Sequence, residues 1–172
     1  MKRVRGAMLA AFMLLTACGY HPAGKVNTVP ERVHSIAIPG FANQTQSFRV
    51  EQLLTSSVVQ EFHARTKYEI LNSEDKGADA TLRGTVISAT ASPLTYDSTT
   101  GRVATVLVTV RMKVALTDRD GKMLYENEGY QFHDQYEVSR DLNSFFIEDT
   151  PALERLSRDF ARTLVANILE GF

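Results

Sequence analysis

The chain has 172 residues, of which 44% are hydrophobic, with 19 basic and 20 acidic side chains and a single cysteine. This composition excludes a disordered protein, and the absence of a basic block argues against a nucleic-acid partner. One cysteine cannot form an intrachain disulfide, so packing alone must stabilise the fold.

The N-terminus has the parts of a secretory signal peptide in their usual order. Three cations among the first six residues precede an apolar run at 7–15, which is shorter than the roughly 20 residues that span a bilayer. The four residues from Leu15 to Cys18 (LTAC) follow and resemble the lipobox of bacterial lipoproteins. This resemblance implies that residues 1–17 are removed and that Cys18 becomes the acylated, palmitate-bearing first residue of the mature chain.

The residues after the cysteine predict where the mature chain is anchored. Gly19 stands where inner-membrane lipoproteins carry Asp, so we expect the outer membrane, with several acyl chains as the anchor. The segment from Gly19 onward contains two prolines and two glycines before Val33, as an extended linker does. We therefore expect a lipidated N-terminus and linker at 18–32 and a single domain at 33–172.

The first half of the domain alternates strand and helix signals. Val33–Ile38 is predicted as a short strand, and Ser47 as the N-cap of a helix that ends near Arg65. A second short strand is predicted at 68–71. The predicted helix has an apolar stripe at helical spacing, formed by Val50, Leu53, Leu54, Val58 and Phe62.

The middle of the chain predicts a long hairpin. Residues 80–96 are strand-like, and residues 102–117 alternate. Every even position from Ala104 to Leu116 is apolar and the odd positions are mixed, which indicates one buried sheet face. Residues 97–101 form the predicted loop, with Gly101 supplying a positive φ. At about 3.3 Å per residue, sixteen residues reach on the order of 50 Å, more than two helices of a small domain require.

A second turn at 118–122 leads to a return strand at 123–138 and a connection that ends at the predicted N-cap Thr150, with Pro151 in the first helical turn. The last helix has an apolar stripe of Leu153, Leu156, Phe160, Leu164 and Ile168. The order β-α-β-β-β-β-α predicts an α+β fold. We expect a two-layer sandwich, with a mostly antiparallel sheet, a long hairpin and both helices on one face.

Catalytic and metal-binding patterns are not found in the sequence. The four histidines are scattered, and no nucleophile elbow or phosphate-binding glycine loop is present. His133 and Asp134 are adjacent on a strand and therefore point to opposite faces. Glu126 and Glu128 follow a turn and are expected to be solvated. We predict no cofactor, no metal site and no enzymatic activity.

The segment Ala17-Cys18-Gly19-Tyr20-His21, together with the order of the elements, resembles the LptE family, the lipoprotein partner of the lipopolysaccharide translocon. The tract from Arg83 to Ala104 is similar to that family's hairpin with a glycine at its tip. The resemblance implies a plug inside the LptD β-barrel that contacts lipopolysaccharide and is held to the membrane by its acyl chains. The alternative is a non-catalytic accessory or scaffold lipoprotein of another cell-envelope complex.

Several side chains are candidates for contacts with lipopolysaccharide or the partner. The resemblance implies cations near the hairpin tip and in the loop before the last helix. Val103 and Leu107 are expected to be exposed on the mixed face of the hairpin, where apolar and basic groups would suit an interface, although a basic side chain on a strand is usually solvated. The candidates are Arg102, Arg140, Arg111, Lys113, Val103 and Leu107.

Overall fold

The structure is a computed structural model that describes residues 29–47, 49–73, 77–138 and 149–170. Within these ranges it contains six strands and two helices. In chain order they are β1 (Ser35–Ala37), β2 (Ala42–Asn43), α1 (Val50–Arg65), β3 (Glu69–Leu71), β4 (Ala80–Tyr96), β5 (Val103–Asp118), β6 (Met123–Glu137) and α2 (Asp149–Glu170).

The six strands form one mixed sheet in the order β3-β1-β4-β5-β6, with β2 also paired to β4. The long strands β4, β5 and β6 are an antiparallel meander, whereas the short strands pair in parallel, β1 with β3 and β4, and β2 with β4. The predicted α+β class and long hairpin are confirmed. The two-residue strand β2 was not predicted from the sequence.

The core lies between the sheet and the two helices. The even-numbered residues of β5 from Val106 to Leu116 are buried, as their alternation predicts. Those from Val108 to Leu116 pack in one cluster with Val50, Leu54, Val58 and Phe62 of α1 and with Leu156, Phe160, Leu164 and Ile168 of α2. Each fully buried side chain of this kind contributes about 1.5–3 kcal/mol of transfer free energy. The cluster also includes Val29, which precedes the expected domain boundary at residue 33.

The predicted N-cap at Ser47 is wrong. Helix α1 begins at Val50, and Arg49 occupies the N-cap position in the left-handed region with φ of 67°. Asn43 organises this entry instead: its amide donates to the Ser47 carbonyl at 2.9 Å and to the Glu51 carboxylate at 2.8 Å. A side chain on β2 therefore holds the loop before α1 in place, although it does not cap the N–H groups of the helix.

Helix α2 begins at Asp149, so the residue predicted as its N-cap, Thr150, lies inside the first turn. Pro151 is in that first turn, as predicted, where its missing N–H removes no helical hydrogen bond.

A glycine in β4 permits a close contact that holds the chain between β1 and β2. A Cβ atom on Gly84 would lie 2.8 Å from two ring carbons of Phe41 and 3.0 Å from the terminal methyl of Met112. Phe41 is buried, and its N–H donates to the Thr55 hydroxyl at 3.0 Å. Gly84 is therefore required for packing and not for a turn.

A bulge in β6 sets which of its side chains face the helices. Glu128 and Gly129 both lie between the residues paired with Met112 and Val114 of β5, so β6 contains one extra residue there. Tyr125 and Tyr130, five positions apart, consequently face the same side.

The two tyrosines connect β6 to α2. Their hydroxyls are 3.2 Å apart, and the Asn167 amide of α2 donates to the Tyr130 hydroxyl. Burial, together with the Tyr125 hydroxyl, raises the pKa of Tyr130 well above its ordinary value. Phe160 of α2 packs edge-on against Tyr130 and stacks on Phe132, with ring centres 5.6 and 4.7 Å apart.

Candidate interaction surface

The hairpin of β4 and β5 projects beyond the helices. Every β4 residue from Thr90 to Tyr96 is exposed, while the first half of the strand alternates between buried and partly exposed positions. We call residues 90–105 the distal hairpin. Its exposure means that this part of the sheet is not held by the core that stabilises the rest of β4.

The turn at the tip of the distal hairpin satisfies its own polar groups. The Asp97 carboxylate accepts hydrogen bonds from the N–H groups of Thr99 and Thr100, at 2.9 and 2.7 Å. Gly101 has φ of 67° and donates to the Asp97 carbonyl, and the N–H of Asp97 donates to the Arg102 carbonyl at 2.8 Å. The tip is thus a preformed structure.

The structure places the predicted contact residues along a surface and not in one pocket. Arg102 is exposed beside the tip, and its guanidinium forms no ion pair with any residue that the structure describes. Arg111 and Lys113 are exposed on the sheet face opposite the helices. Eleven residues separate Arg102 from Lys113, which is about 36 Å of extended strand. Arg140 and Cys18 lie outside the described residues.

Val103 and Leu107, expected to be exposed, are half-buried. Val103 is paired with Tyr96, and Leu107 lies between its neighbours on β4 and β6. Flanking strands cover much of a central residue even on an open sheet face. The expectation of exposure for these two side chains therefore needs correction.

The outer sheet face, opposite the helices, is mainly polar. Threonines oppose one another across β4 and β5 at three positions, Thr81 with Thr117, Thr90 with Thr109, and Thr95 with Thr105. The hydroxyls of the last pair are 2.9 Å apart. A face of this composition can contact water without a covering layer, so the domain needs no partner to cover it.

The sequence analysis missed two apolar side chains of the distal hairpin. Leu94 and Tyr96 are 48% and 63% exposed and belong to the few large hydrophobic residues that are exposed in the described chain. Register shifts on either side of Thr95 interrupt the alternation of β4. Because of these shifts, the sequence pattern could not assign either side chain to a face.

At the opposite end of the sheet, Asp118 attaches the N-terminal segment to the second turn. Its carboxylate accepts from the Arg32 guanidinium at 2.6 Å and from the N–H groups of Asp120 and Lys122 at 3.0 and 2.9 Å. The Lys122 N–H and these other donors hold the pKa of Asp118 below its ordinary value, against the opposing effect of burial.

Asp79 makes a second junction nearby. It accepts from the N–H groups of His34 and Ser35, at 2.9 and 3.1 Å, and pairs with Arg119 at 2.9 Å. The hydrogen bond from His34, followed by that from Ser35, lowers the pKa of Asp79. Both carboxylates thus serve structure, since their oxygens are occupied by main-chain donors and arginines.

The remaining polar candidates do not converge. His133 is exposed, and Asp134 pairs with Arg155 of α2 at 3.0 Å. Glu126 and Glu128 are exposed. Among the described residues, no group of three or more His, Cys, Asp or Glu side chains could hold a metal ion. In the same residues, neither helix is long and apolar enough to cross a membrane.

The chain was compared with known proteins. The family model described as "LptE: Lipopolysaccharide-assembly" matches residues 33–168. None of the curated proteins matches.

Three solved structures, two of them described as lipoproteins, show the same fold. Uncharacterized lipoprotein B from Nitrosomonas europaea is 13% identical, with a TM-score of 0.54 over 88% of this chain and 90% of that one. A minor lipoprotein from Acinetobacter baumannii is 15% identical, with a TM-score of 0.51 over 83% and 95%. PelC from Paraburkholderia phytofirmans, solved as a dodecamer, is 14% identical, with a TM-score of 0.52 over 80% and 89%. At these identities the likeness concerns the fold alone.

Proposed function

Because the chain belongs to the LptE family of lipopolysaccharide-assembly proteins, we propose that it is an outer-membrane lipoprotein that acts as the plug and assembly partner of the LptD barrel. The observation that carries this proposal is the distal hairpin, which projects past the helices with a preformed tip. The role requires binding and no chemistry, in agreement with a family of assembly proteins.

The proposed anchor is the acylated Cys18, reached after removal of residues 1–17 and joined to the domain by the linker at 18–32. Cys18→Ser is expected to abolish incorporation of labelled palmitate and to release the protein from the outer-membrane fraction. Normal labelling and normal fractionation of this variant would contradict the proposed anchor.

The proposed contact with lipopolysaccharide is electrostatic. Arg102 is exposed at the tip, and a guanidinium can bind a phosphate of lipid A through two parallel hydrogen bonds. Arg140 is proposed as a second cation on the same path, and Arg111 and Lys113 extend the basic surface along β5. Leu94 and Tyr96 add the aromatic and aliphatic contacts that interface centres favour.

Site-specific photocrosslinking in living cells tests this function. A photoreactive residue at position 99, 103 or 107 of the hairpin is expected to crosslink to an LptD-type barrel, because these positions would face the lumen. The matched control is position 60, where Gln60 is exposed on α1 away from the hairpin. Crosslinks only to soluble periplasmic proteins, with envelope permeability unchanged when the chain is deleted, would contradict the proposal.

A further inference from the structure

One edge of β4 is paired along only half of its length. β1 pairs with β4 at Ala80 and Thr81, and β2 pairs with it at Thr85 and Val86. The last hydrogen bond on this side runs from the Gln44 N–H to the Val86 carbonyl, at 3.0 Å. Beyond Val86, no strand within the described ranges pairs with this edge.

The hydrogen bonds of β5 show which β4 groups point to the open edge. The N–H of Val138 donates to the Ala104 carbonyl at 2.9 Å, so the even-numbered residues of β5 bond to β6 and the odd-numbered ones bond to β4. Between Val86 and Pro93, the β4 residues that pair with odd-numbered residues of β5 are Ser88, Thr90 and Ser92. The intervening residues of β4 therefore direct their main-chain groups away from β5.

These outward residues are Ala89, Ala91 and Pro93. The proline fits this assignment, because a proline in the inward set would remove a ladder hydrogen bond. The N–H groups of Ala89 and Ala91 have no hydrogen-bond partner in the part of the chain that the structure describes. The edge thus offers two donors and three carbonyl acceptors over about 13 Å.

A mainly apolar notch adjoins the same edge. It has a volume of about 100 Å³, and it is lined by Val50 and Leu153 near the starts of the two helices and by Ala89, Ala91 and Val108 of the hairpin, together with the polar residues Ser47 and Thr90. Sites for small-molecule ligands occupy about 300–1,000 Å³, so this notch has room for one aliphatic side chain. No charged residue lines it.

We propose that an extended segment of the partner barrel pairs with the Ala89–Pro93 edge as an added strand and inserts one aliphatic side chain into the notch. Main-chain hydrogen bonds give affinity in such strand addition, and a pocket beside the edge gives specificity. The added strand continues the line of β2, which already pairs with β4 up to Val86. This inference rests on the proposed function for the identity of the partner.

A second copy of the chain fits the edge less well than a partner segment. Pro93 and the register shifts at Thr95 limit the pairing edge to about five residues, and such interruptions are how natural sheets prevent edge-to-edge association. A heterologous segment compensates for the short edge because it also fills the notch.

Two substitutions at one position separate the two parts of the proposal. Ala91→Pro removes the outward N–H and leaves the ladder to β5 intact, as Pro93 already does two residues later. Ala91→Leu keeps the N–H and fills the notch. The control is Ser92→Ala, because the Ser92 side chain lies on the outer sheet face, its N–H points to β5, and it does not line the notch.

The first measurement is the amount of LptD-type barrel recovered with the affinity-tagged, full-length chain from native membranes. Ala91→Pro and Ala91→Leu are each expected to lower recovery about three- to tenfold, whereas Ser92→Ala leaves it unchanged. If both Ala91 variants recover as much barrel as the wild-type chain and their thermal melts are unchanged, strand addition at this edge is wrong. The proposed function is not affected by that result. If the wild-type chain recovers no barrel, the proposed function fails and this inference fails with it.

Hydrogen exchange of the backbone amides is a second measurement. It distinguishes hydrogen bonding along the edge from a partner that only covers the surface. In the complex, the N–H groups of Ala89 and Ala91 are expected to exchange at least about tenfold more slowly than in the free chain, while that of Thr90 is protected in both. Unchanged exchange at Ala89 and Ala91 would overturn strand addition. A purified chain that is dimeric, and becomes monomeric with Ala91→Pro, would show that the edge belongs to self-association and would also overturn it.

Discussion

Single residues in this domain act through very local geometry. Gly84 lies in the middle of a strand whose φ values suit any residue, yet a Cβ there would overlap the Phe41 ring. Asn43, on the two-residue strand β2, holds the loop before α1 through two hydrogen bonds. Neither role can be read from a sequence pattern, because each depends on a partner that only the fold brings close.

Gly84→Ala is expected to destabilise the domain by about 1–3 kcal/mol, since Phe41 must move away from β4 to admit the methyl group. Urea denaturation measures the change. The control is Gly40→Ala, because a Cβ at Gly40 meets no atom within 4 Å. Equal stability of the two variants would show that Phe41 adapts without cost.

At the scale of elements, periodicity predicted the faces and most of the boundaries, but it missed the start of α1 and the bulge in β6. The alternation of β5 identified its buried face correctly from Val106 to Leu116, and Gly101 has the positive φ expected at the tip. The prediction of Ser47 as a cap failed because a left-handed Arg49 starts α1 instead. The bulge at Glu128 and Gly129 was also unpredictable, because one extra residue changes faces without an obvious signal.

The faces of α2 can be tested directly. Leu164→Ala is expected to cost about 2–5 kcal/mol, because the side chain is fully buried and its removal leaves a cavity. Arg158→Ala, which removes an exposed charge paired only loosely with Glu154, is expected to cost less than about 1 kcal/mol. Denaturant melts that give equal losses would mean that the two faces of the helix are reversed.

The elements at the base of the sheet are joined by groups that titrate. The pKa values of Asp79 and Asp118 are both lowered in the folded state. Such a group contributes stability above its unfolded pKa of about 3.9 and loses that contribution as the pH falls below it. The arrangement was not predictable from sequence, because the donors come from positions up to 86 residues away.

The free energy of unfolding is therefore expected to decrease as the pH is lowered from about 4 towards 2. Asp118→Asn removes one of the titrating groups, so this variant should be less stable at neutral pH and less sensitive to acid. Chemical denaturation at a series of pH values measures both effects. The same slope in wild type and variant would show that Asp118 does not contribute to the acid sensitivity.

At the scale of the whole molecule, the tip of the hairpin lies outside the packed layers. The β4 part of the distal hairpin is exposed and its tip is preformed, so a substitution there is expected to leave the packed layers intact. The sequence predicted the hairpin and Arg102 at its tip. It could not predict the open edge at Ala89–Pro93, because that edge exists only where the short strands β1 and β2 end.

Arg102→Glu is expected to weaken lipopolysaccharide binding by about tenfold, because a charge-assisted hydrogen bond is replaced by repulsion. The melting temperature should not change, since the side chain is exposed. Binding of purified lipopolysaccharide measures the effect, with Arg158→Glu on the exposed face of α2 as the control. Equal weakening by both variants would indicate a general charge effect and no specific role for Arg102.

The length of the hairpin determines how far its tip can reach across a membrane. β4 has 17 residues, which is about 55 Å of strand, whereas the hydrocarbon layer of a bilayer is about 30 Å thick. The N-terminal segment meets the domain at the Asp118 end, opposite the tip. Under the proposed anchoring, a molecule held at the periplasmic leaflet therefore has enough length to place its tip near the far surface. The number of residues in the two paired strands therefore sets how far the tip can reach.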